Sequence, residues 1–160
     1  MSSGVATEIE RQRFRSVVGR FATGVAVITG HGPGGPAGMT TNALCSLSLD
    51  PILLLVCFDN TSRTLPVVKE TGRFGVNVLR SDQDALARVF ASKVAPAEKF
   101  DGVGWRLEDD VPVLEGVIAW LVCDLQEVLP GGDHTIAIGA PRSLHDEDGE
   151  PLVWFRGAYG

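Results

Sequence analysis

The chain has 160 residues, 44% hydrophobic and 21% charged, which suits one folded domain over residues 1–160 and argues against disorder. Fourteen Lys and Arg stand against 20 Asp and Glu, a net charge of −6, so no basic stripe exists to gather a nucleic-acid backbone or an anionic membrane. The longest apolar runs, Ile52–Phe58 and Val117–Cys123, hold seven residues each, against the roughly 20 that a membrane-spanning helix needs.

Thr7 and Glu10 have capping-box spacing, and Phe14, Val17, Val18 and Phe21 recur at i, i+3, i+4, i+7, which predicts a helix stopped by Thr23-Gly24. Val25–Thr29 reads as a strand and His31–Pro36 as a loop. Gly38–Leu49 reads as one extended segment whose later part alternates Cys45, Leu47 and Leu49 with Ser46 and Ser48. Asp50-Pro51 breaks it, and Ile52–Phe58, apolar on both faces, reads as a central strand. Asp59–Arg63 is a turn, followed by a short helix over Thr64–Glu70 that Gly72 ends. Phe74–Leu79 is another strand, and Ser81-Asp82 is placed to cap a helix carrying Leu86, Val89 and Phe90. A polar loop runs from Ala91 to about Gly104. Val117–Val128 and His134–Leu144 then form a hairpin around Pro130–Asp133, and Asp148–Pro151 turns the chain into Leu152–Phe155. Six or more strands with two or three short helices predict a mainly β, antiparallel Greek-key barrel with peripheral helices. The strands lie too close together for βαβ crossovers, which take a dozen residues or more.

The three cysteines (Cys45, Cys57 and Cys123) are odd in number and set among Leu, Val and Ser, which suits reduced, buried thiols. The N-terminal Met-Ser-Ser-Gly-Val-Ala has neither the basic start nor the apolar stretch of a signal peptide, so the expected location is the cytoplasm. With no Cys-x-x-Cys and only three histidines, no metal site is expected.

Gly32-Pro-Gly34-Gly-Pro-Ala37 fits the loose Gly-x-Gly-x-x-Gly/Ala dinucleotide fingerprint. Pro36 interrupts it and no amphipathic helix follows, so a hairpin loop is the better reading. The next stretch is more informative. Thr40, Thr41, Asn42 and Ser46 are small hydrogen-bonding side chains within one extended run, and Gly38 permits close backbone approach. A planar heteroaromatic ligand with several carbonyls and ring nitrogens needs such groups; an ordinary half-polar strand has the same composition.

Taken whole, Gly38-Met-Thr-Thr-Asn-Ala-Leu-Cys-Ser-Leu-Ser-Leu-Asp-Pro51 resembles the signature of the flavin reductase family. These are the small NAD(P)H-dependent reductase components of two-component flavin monooxygenases, such as 4-hydroxyphenylacetate 3-monooxygenase. Asn60-Thr-Ser62-Arg-Thr64, Gly72-Arg-Phe-Gly-Val-Asn-Val-Leu79, Phe90-Ala91 with Lys99-Phe100, Gly132-Asp-His134-Thr-Ile-Ala-Ile-Gly139 and Pro151-Leu-Val-Trp-Phe-Arg-Gly-Ala-Tyr159 resemble further motifs of the family, in the family's order. The resemblance spans about Phe14 to Tyr159. One departure is Pro51-Ile52, where many relatives have Pro-Pro.

The resemblance implies a flavin-binding split β-barrel that forms a homodimer with the flavin near the subunit interface. It places Thr40, Thr41 and Asn42 against the isoalloxazine of FMN or FAD, with Gly38, Met39, Cys45 and Ser46 close by. Two-electron reduction of a flavin leaves negative charge around N1 and O2, so donors preorganised there lower the barrier. Asn60, Ser62 and Thr64 would meet the phosphate, Arg63 or Lys93 would add charge, and Ser92 and Phe100 complete the cofactor set. His134 is implied where the nicotinamide of NADH (NADPH is also possible) stacks on the flavin, as a positioning residue, with Arg156 and Tyr159 within reach of the dinucleotide. An isolated histidine after a tight Gly131-Gly132-Asp133 turn is also an ordinary strand residue. The implied activity is reduction of flavin for a separate monooxygenase component, reached by diffusion of the reduced flavin. Other split-barrel readings are a non-catalytic flavin carrier or sensor, a pyridoxamine-phosphate-oxidase-like enzyme and a deazaflavin-dependent reductase. The last two normally hold their phosphate with a more basic set than this chain offers.

Overall fold

The computed structural model describes residues 5–160. The first four residues, on which the reading of the N-terminus partly rests, lie outside the described residues. Helix α1 (Glu8–Val18) opens with the expected capping box: the Thr7 hydroxyl accepts the Glu10 N–H at 3.2 Å, and the Glu10 carboxylate accepts the Thr7 N–H at 2.7 Å. Gly19 ends the helix, earlier than expected, and Thr23–Gly24 forms the short strand β1. No residue of α1 is buried. Its apolar stripe faces outward, with Phe14 68% and Val17 65% exposed.

Strands β2 (Ala26–Gly32) and β3 (Gly35–Thr41) make a hairpin with Gly32 opposite Gly35, so the expected six-residue loop shrinks to Pro33-Gly34. Gly35 takes a φ of 95°, open to glycine and costly for other residues. The segment expected as one run from Gly38 to Leu49 is two strands, because the chain leaves β3 at Asn42-Ala43 and begins β4 (Leu44–Leu49). Asp50-Pro51 turns β4 into β5 (Ile52–Asp59), which buries Leu54, Val56 and Phe58 and leaves Leu53, Leu55 and Cys57 half-buried on its other face. Helix α2 (Thr64–Thr71) ends at the left-handed Gly72, and β6 (Arg73–Val78) follows.

Helix α3 (Asp84–Ala91) begins after Gln83, two residues later than the expected Ser81-Asp82 cap. The Asp82 carboxylate is held instead by Arg80, with Nε 2.9 Å from Oδ1. Ala87 and Phe90 are buried, while Val89, expected on the inner face, is exposed. The loop expected after Ala91 contains a 3-10 turn at Ala97–Phe100, and an unforeseen hairpin follows, β7 (Trp105–Glu108) and β8 (Val111–Leu114). The long hairpin is β9 (Ala119–Gly131) and β10 (His134–Asp146); the chain ends with β11 (Val153–Phe155) and β12 (Ala158–Tyr159).

Seven strands form one antiparallel sheet in the order β3-β2-β6-β9-β10-β5-β4. Its two edge strands, β3 and β4, are joined by only Asn42 and Ala43. Three Cα–Cα steps of 3.8 Å span at most about 11 Å, so the sheet has to curl until its edges meet. No ladder links β3 to β4, so the barrel is split along that seam. Inside it pack Ile28, Val56, Phe58, Phe74, Val76 and Ala137. A second cluster, with Val25, Val27, Phe90, Phe100, Leu114 and Leu152, lies between the far face of β2 and the covering elements. Strand β2 is therefore buried on both faces.

Candidate functional site

The seam is where the chemistry gathers. A cavity of about 430 Å³ opens there, within the roughly 300–1,000 Å³ typical of small-molecule sites. Gly38, Met39, Thr40, Thr41 and Asn42 form one wall, the start of α2 (Ser62, Arg63 and Thr64) a second, and Ser92 and Lys93 after α3 a third, with His134 at the mouth of β10.

Strand β3 is an edge strand, so alternate N–H and C=O groups along it have no neighbouring strand to bond. Gly38 to Asn42 line the seam, and of their edge groups the Gly38 carbonyl is taken by Lys99 Nζ at 3.3 Å. The side chains beside them are partly committed. Thr40 Oγ1 donates to the Ala87 carbonyl at 2.6 Å, so toward a ligand it can only accept. Thr41 Oγ1 accepts the Ala43 N–H at 3.0 Å and keeps its own proton to donate. Asn42 Nδ2 donates to Thr23 Oγ1 at 3.2 Å. Gly38 is needed for a packing reason: a Cβ there would sit 2.7 Å from the buried Phe90 ring. A side chain at that position would therefore push α3 away from the cavity wall.

At the second wall, Ser62 Oγ accepts the N–H groups of Thr64 at 3.2 Å and Leu65 at 3.4 Å and donates to Met39 Sδ at 3.2 Å, tying the start of α2 to β3. Thr64 itself is buried. Arg63 reaches across with Nη2 to the Lys93 carbonyl at 2.9 Å and to that of Val94, closing the loop after α3 over the cavity. His134 is half-buried, its Nδ1 2.7 Å from Asp133 Oδ1. With Nδ1–H donating to that carboxylate, Nε2 is left as the free ring nitrogen.

Six sequence-predicted residues lie outside this lining. Cys45 and Ser46 are exposed on β4, past the bend at Asn42-Ala43 that separates them from the β3 wall. The expectation of buried thiols therefore fails at Cys45, while Cys123 is buried. Asn60 caps the mouth from the turn, its Oδ1 accepting the Thr135 hydroxyl at 2.8 Å. Phe100 packs edge-on against Phe90 at 5.0 Å in the second core cluster, behind the wall. Tyr159 lines a smaller cavity of about 170 Å³ that shares Thr40, Thr41, Asn42 and Ala91 with the main one. Arg156 lies farther out, lining a separate cavity with Arg15, Ser16 and Arg20.

Several residues line the cavity that sequence reasoning passed over, notably Cys57, Asp59, Thr61 and Lys99. Burial, with Cys45 nearby, pushes the Cys57 thiol up, so it stays protonated beside the cavity. Asp59 is held below the usual carboxylate range by hydrogen bonds from the Thr61 hydroxyl and N–H. Lys99 is buried, and burial, then the neighbouring Arg63 charge, draws its pKa down. The signal for Lys99 was its place in the Lys99-Phe100 motif; nothing in the sequence said it would point into the seam. Among the described residues no cluster of His, Cys, Asp and Glu could hold a metal ion.

The sequence profile described as Flavin reductase like domain matches residues 18–160. Flavin reductase of Pseudomonas putida is 40% identical over 159 residues, covering 98% of this chain and 92% of its own. HsaB, the reductase subunit of a flavin-dependent monooxygenase from Rhodococcus jostii, is 38% identical, with 96% and 79% covered. The structure of Streptomyces globisporus NADH:FAD oxidoreductase SgcE6, in complex with NAD and FAD fragments, superposes with a TM-score of 0.89 at 32% identity, covering 99% of this chain and 96% of that one.

Proposed function

The chain belongs to the flavin reductase-like domain family and is an oxidoreductase that reduces FMN or FAD with NAD(P)H for a separate monooxygenase, and we propose that it does so in the seam between β3 and α2. The observation that carries the assignment of the site is the 430 Å³ cavity running along β3, one of the two edge strands of the sheet, and lined also by the start of α2.

Flavin, when bound there, supplies the two-electron acceptor for the nicotinamide hydride. The chain's part is to hold and orient. The β3 edge and the Thr41 hydroxyl donate to the ring's carbonyls and nitrogens, while Thr40, its proton committed to Ala87, accepts from a ring N–H. The start of α2, with Ser62, Arg63 and Thr64, takes the phosphate end, and Ser92 and Lys93 close over it. Hydride transfer needs no protein acid or base, only the donor carbon held against the acceptor nitrogen, so His134 positions the nicotinamide through Nε2. Tyr159 and, beyond it, Arg156 lie on the side where the rest of the dinucleotide would run. The chain works as a homodimer, and the unpaired thiols suit a cytoplasmic location. Among the described residues no helix is long and apolar enough to cross a membrane.

The purified protein should bleach the nicotinamide absorbance band of NADH when FMN or FAD is added. His134→Ala should raise KM for NADH about tenfold while kcat falls by less than about threefold, the pattern of lost positioning. No acceleration with either flavin and either nucleotide overturns the activity; an unchanged KM in the variant overturns the role of His134.

A further inference from the structure

Lys99 is a buried cation with no acid beside it. The residue is 6% exposed, and its Nζ donates to the main-chain carbonyls of Phe90 at 2.9 Å and Gly38 at 3.3 Å. Those two bonds use two of the three ammonium protons, and among the described residues neither a third acceptor nor a carboxylate partner is present. Removing an ammonium from water costs several kcal/mol unless an opposite charge compensates. Polar carbonyls recover part of that and supply no counter-charge.

The neighbouring charge is Arg63, of the same sign, and it lowers the Lys99 pKa. Among the described residues Arg63 has no carboxylate partner either, its guanidinium donating to the carbonyls of Lys93 and Val94. Asp59, the acid that does line the cavity, gives one carboxylate oxygen to the Thr61 N–H at 2.7 Å and hydroxyl at 2.6 Å. Arg63 and Lys99, with Lys93 also on the lining, thus bring three cations to one cavity in a chain whose net charge is −6, and a bound anion would compensate them. Oxidised FMN carries its charge in one place, the phosphate. Arg63 also adjoins the start of α2, whose macrodipole favours the same kind of ligand, although the Thr64 and Leu65 N–H groups there are already taken by Ser62 Oγ.

We propose that Lys99 is the internal counter-ion of the flavin 5′-phosphate (of the proximal phosphate in FAD) and makes the cavity select phosphorylated flavins over riboflavin. This rests on the seam being the flavin site. Lys99 has two tasks in one group: it pins Gly38 on β3 to the end of α3, and it presents its remaining proton to the ligand's only full charge.

The test compares dissociation constants of FMN and riboflavin, read from quenching of flavin fluorescence, for the wild type, Lys99→Met and Lys99→Arg. The wild type should bind FMN at least tenfold tighter than riboflavin. In Lys99→Met the two should converge to within threefold, and Lys99→Arg should restore most of the preference. Inorganic phosphate should compete with FMN and leave riboflavin binding unchanged in the wild type. If Lys99→Met does not fold, Lys99→Gln, which keeps a donor for the two carbonyls, is measured in its place. Equal wild-type affinities, or a variant in which the FMN preference is undiminished, would overturn the proposal and leave the flavin site standing. A wild type that binds neither flavin would overturn both.

Discussion

Asn77→Leu should lower the unfolding free energy by about 3–4 kcal/mol, the expected sum of two buried polar groups left without partners at roughly 1–3 kcal/mol each. Asn77 is fully buried on β6. Its Nδ2 donates to the Val27 carbonyl at 3.0 Å and to Thr29 Oγ1 at 3.3 Å, and its Oδ1 accepts the Leu114 N–H at 2.8 Å. Thr29, also fully buried, passes the connection on by donating to the Pro112 carbonyl at 2.5 Å. These bonds fasten the β7–β8 hairpin to the outer face of the barrel. Leucine approximates the volume and offers neither donor nor acceptor, so the Leu114 N–H loses its only partner of this kind while staying buried. For a domain of this size the loss corresponds to a fall in Tm of about 10 °C. Leu114 packs in the same cluster as Phe90 and Phe100, which back the cavity wall, so flavin affinity should weaken along with stability. Denaturant unfolding measures it. A change below about 1 kcal/mol would mean that the network is structurally idle.

Asn77 also shows where sequence reasoning stopped. Its place in Phe74-Gly-Val-Asn-Val-Leu79 was legible, and so was the strand, but a polar residue in an apolar strand does not say what it bonds. Its partners come from the β7–β8 hairpin, which composition concealed twice. Pro112 interrupts the apolar run of β8, and the turn is Asp109-Asp110, both at positive φ (46° and 64°), where the usual signal would be a glycine. The single run read from Gly38 to Leu49 failed for a related reason. Its break at Asn42-Ala43 carries neither glycine nor proline, because the bend follows from the curling of the whole sheet and not from local turn chemistry. By contrast, elements with a local cause were readable: the Thr7–Glu10 box, the Gly72 cap and the β9–β10 hairpin. The site divides in the same way. Residues on one continuous strand, Gly38 to Asn42, were found together, whereas Lys99 and Cys57 enter the seam from elements whose orientation only the barrel decides.

Leu55→Glu should convert the protein to a monomer and weaken FMN binding at least tenfold. The argument starts from the face of β5 that the barrel leaves uncovered. Leu53, Leu55 and Cys57 alternate with the core residues Leu54, Val56 and Phe58, and the ladder places Ile138 opposite Leu55 and Ile136 opposite Cys57. One strand further, Leu129 lies opposite Ile136 and is 39% exposed. Six apolar side chains thus form a contiguous patch across three strands. The stripe of α1 is a second uncovered apolar surface, with Phe21, just past the helix, 76% exposed. Apolar patches of that extent on a soluble domain mark a surface that another chain covers. A second copy of this chain is the occupant that makes functional sense, because Cys57 belongs at once to the patch and to the lining of the flavin cavity. Covering the patch therefore closes the seam from that side and keeps water from the ring. A carboxylate at position 55 would have to be desolvated without a partner in such an interface, a cost of several kcal/mol, yet it remains solvated on the isolated subunit. The variant should accordingly keep its circular dichroism while sedimenting as a monomer. A wild type that sediments as a monomer would remove the dimer, and a Leu55→Glu protein that stays dimeric with unaltered FMN affinity would place its interface elsewhere.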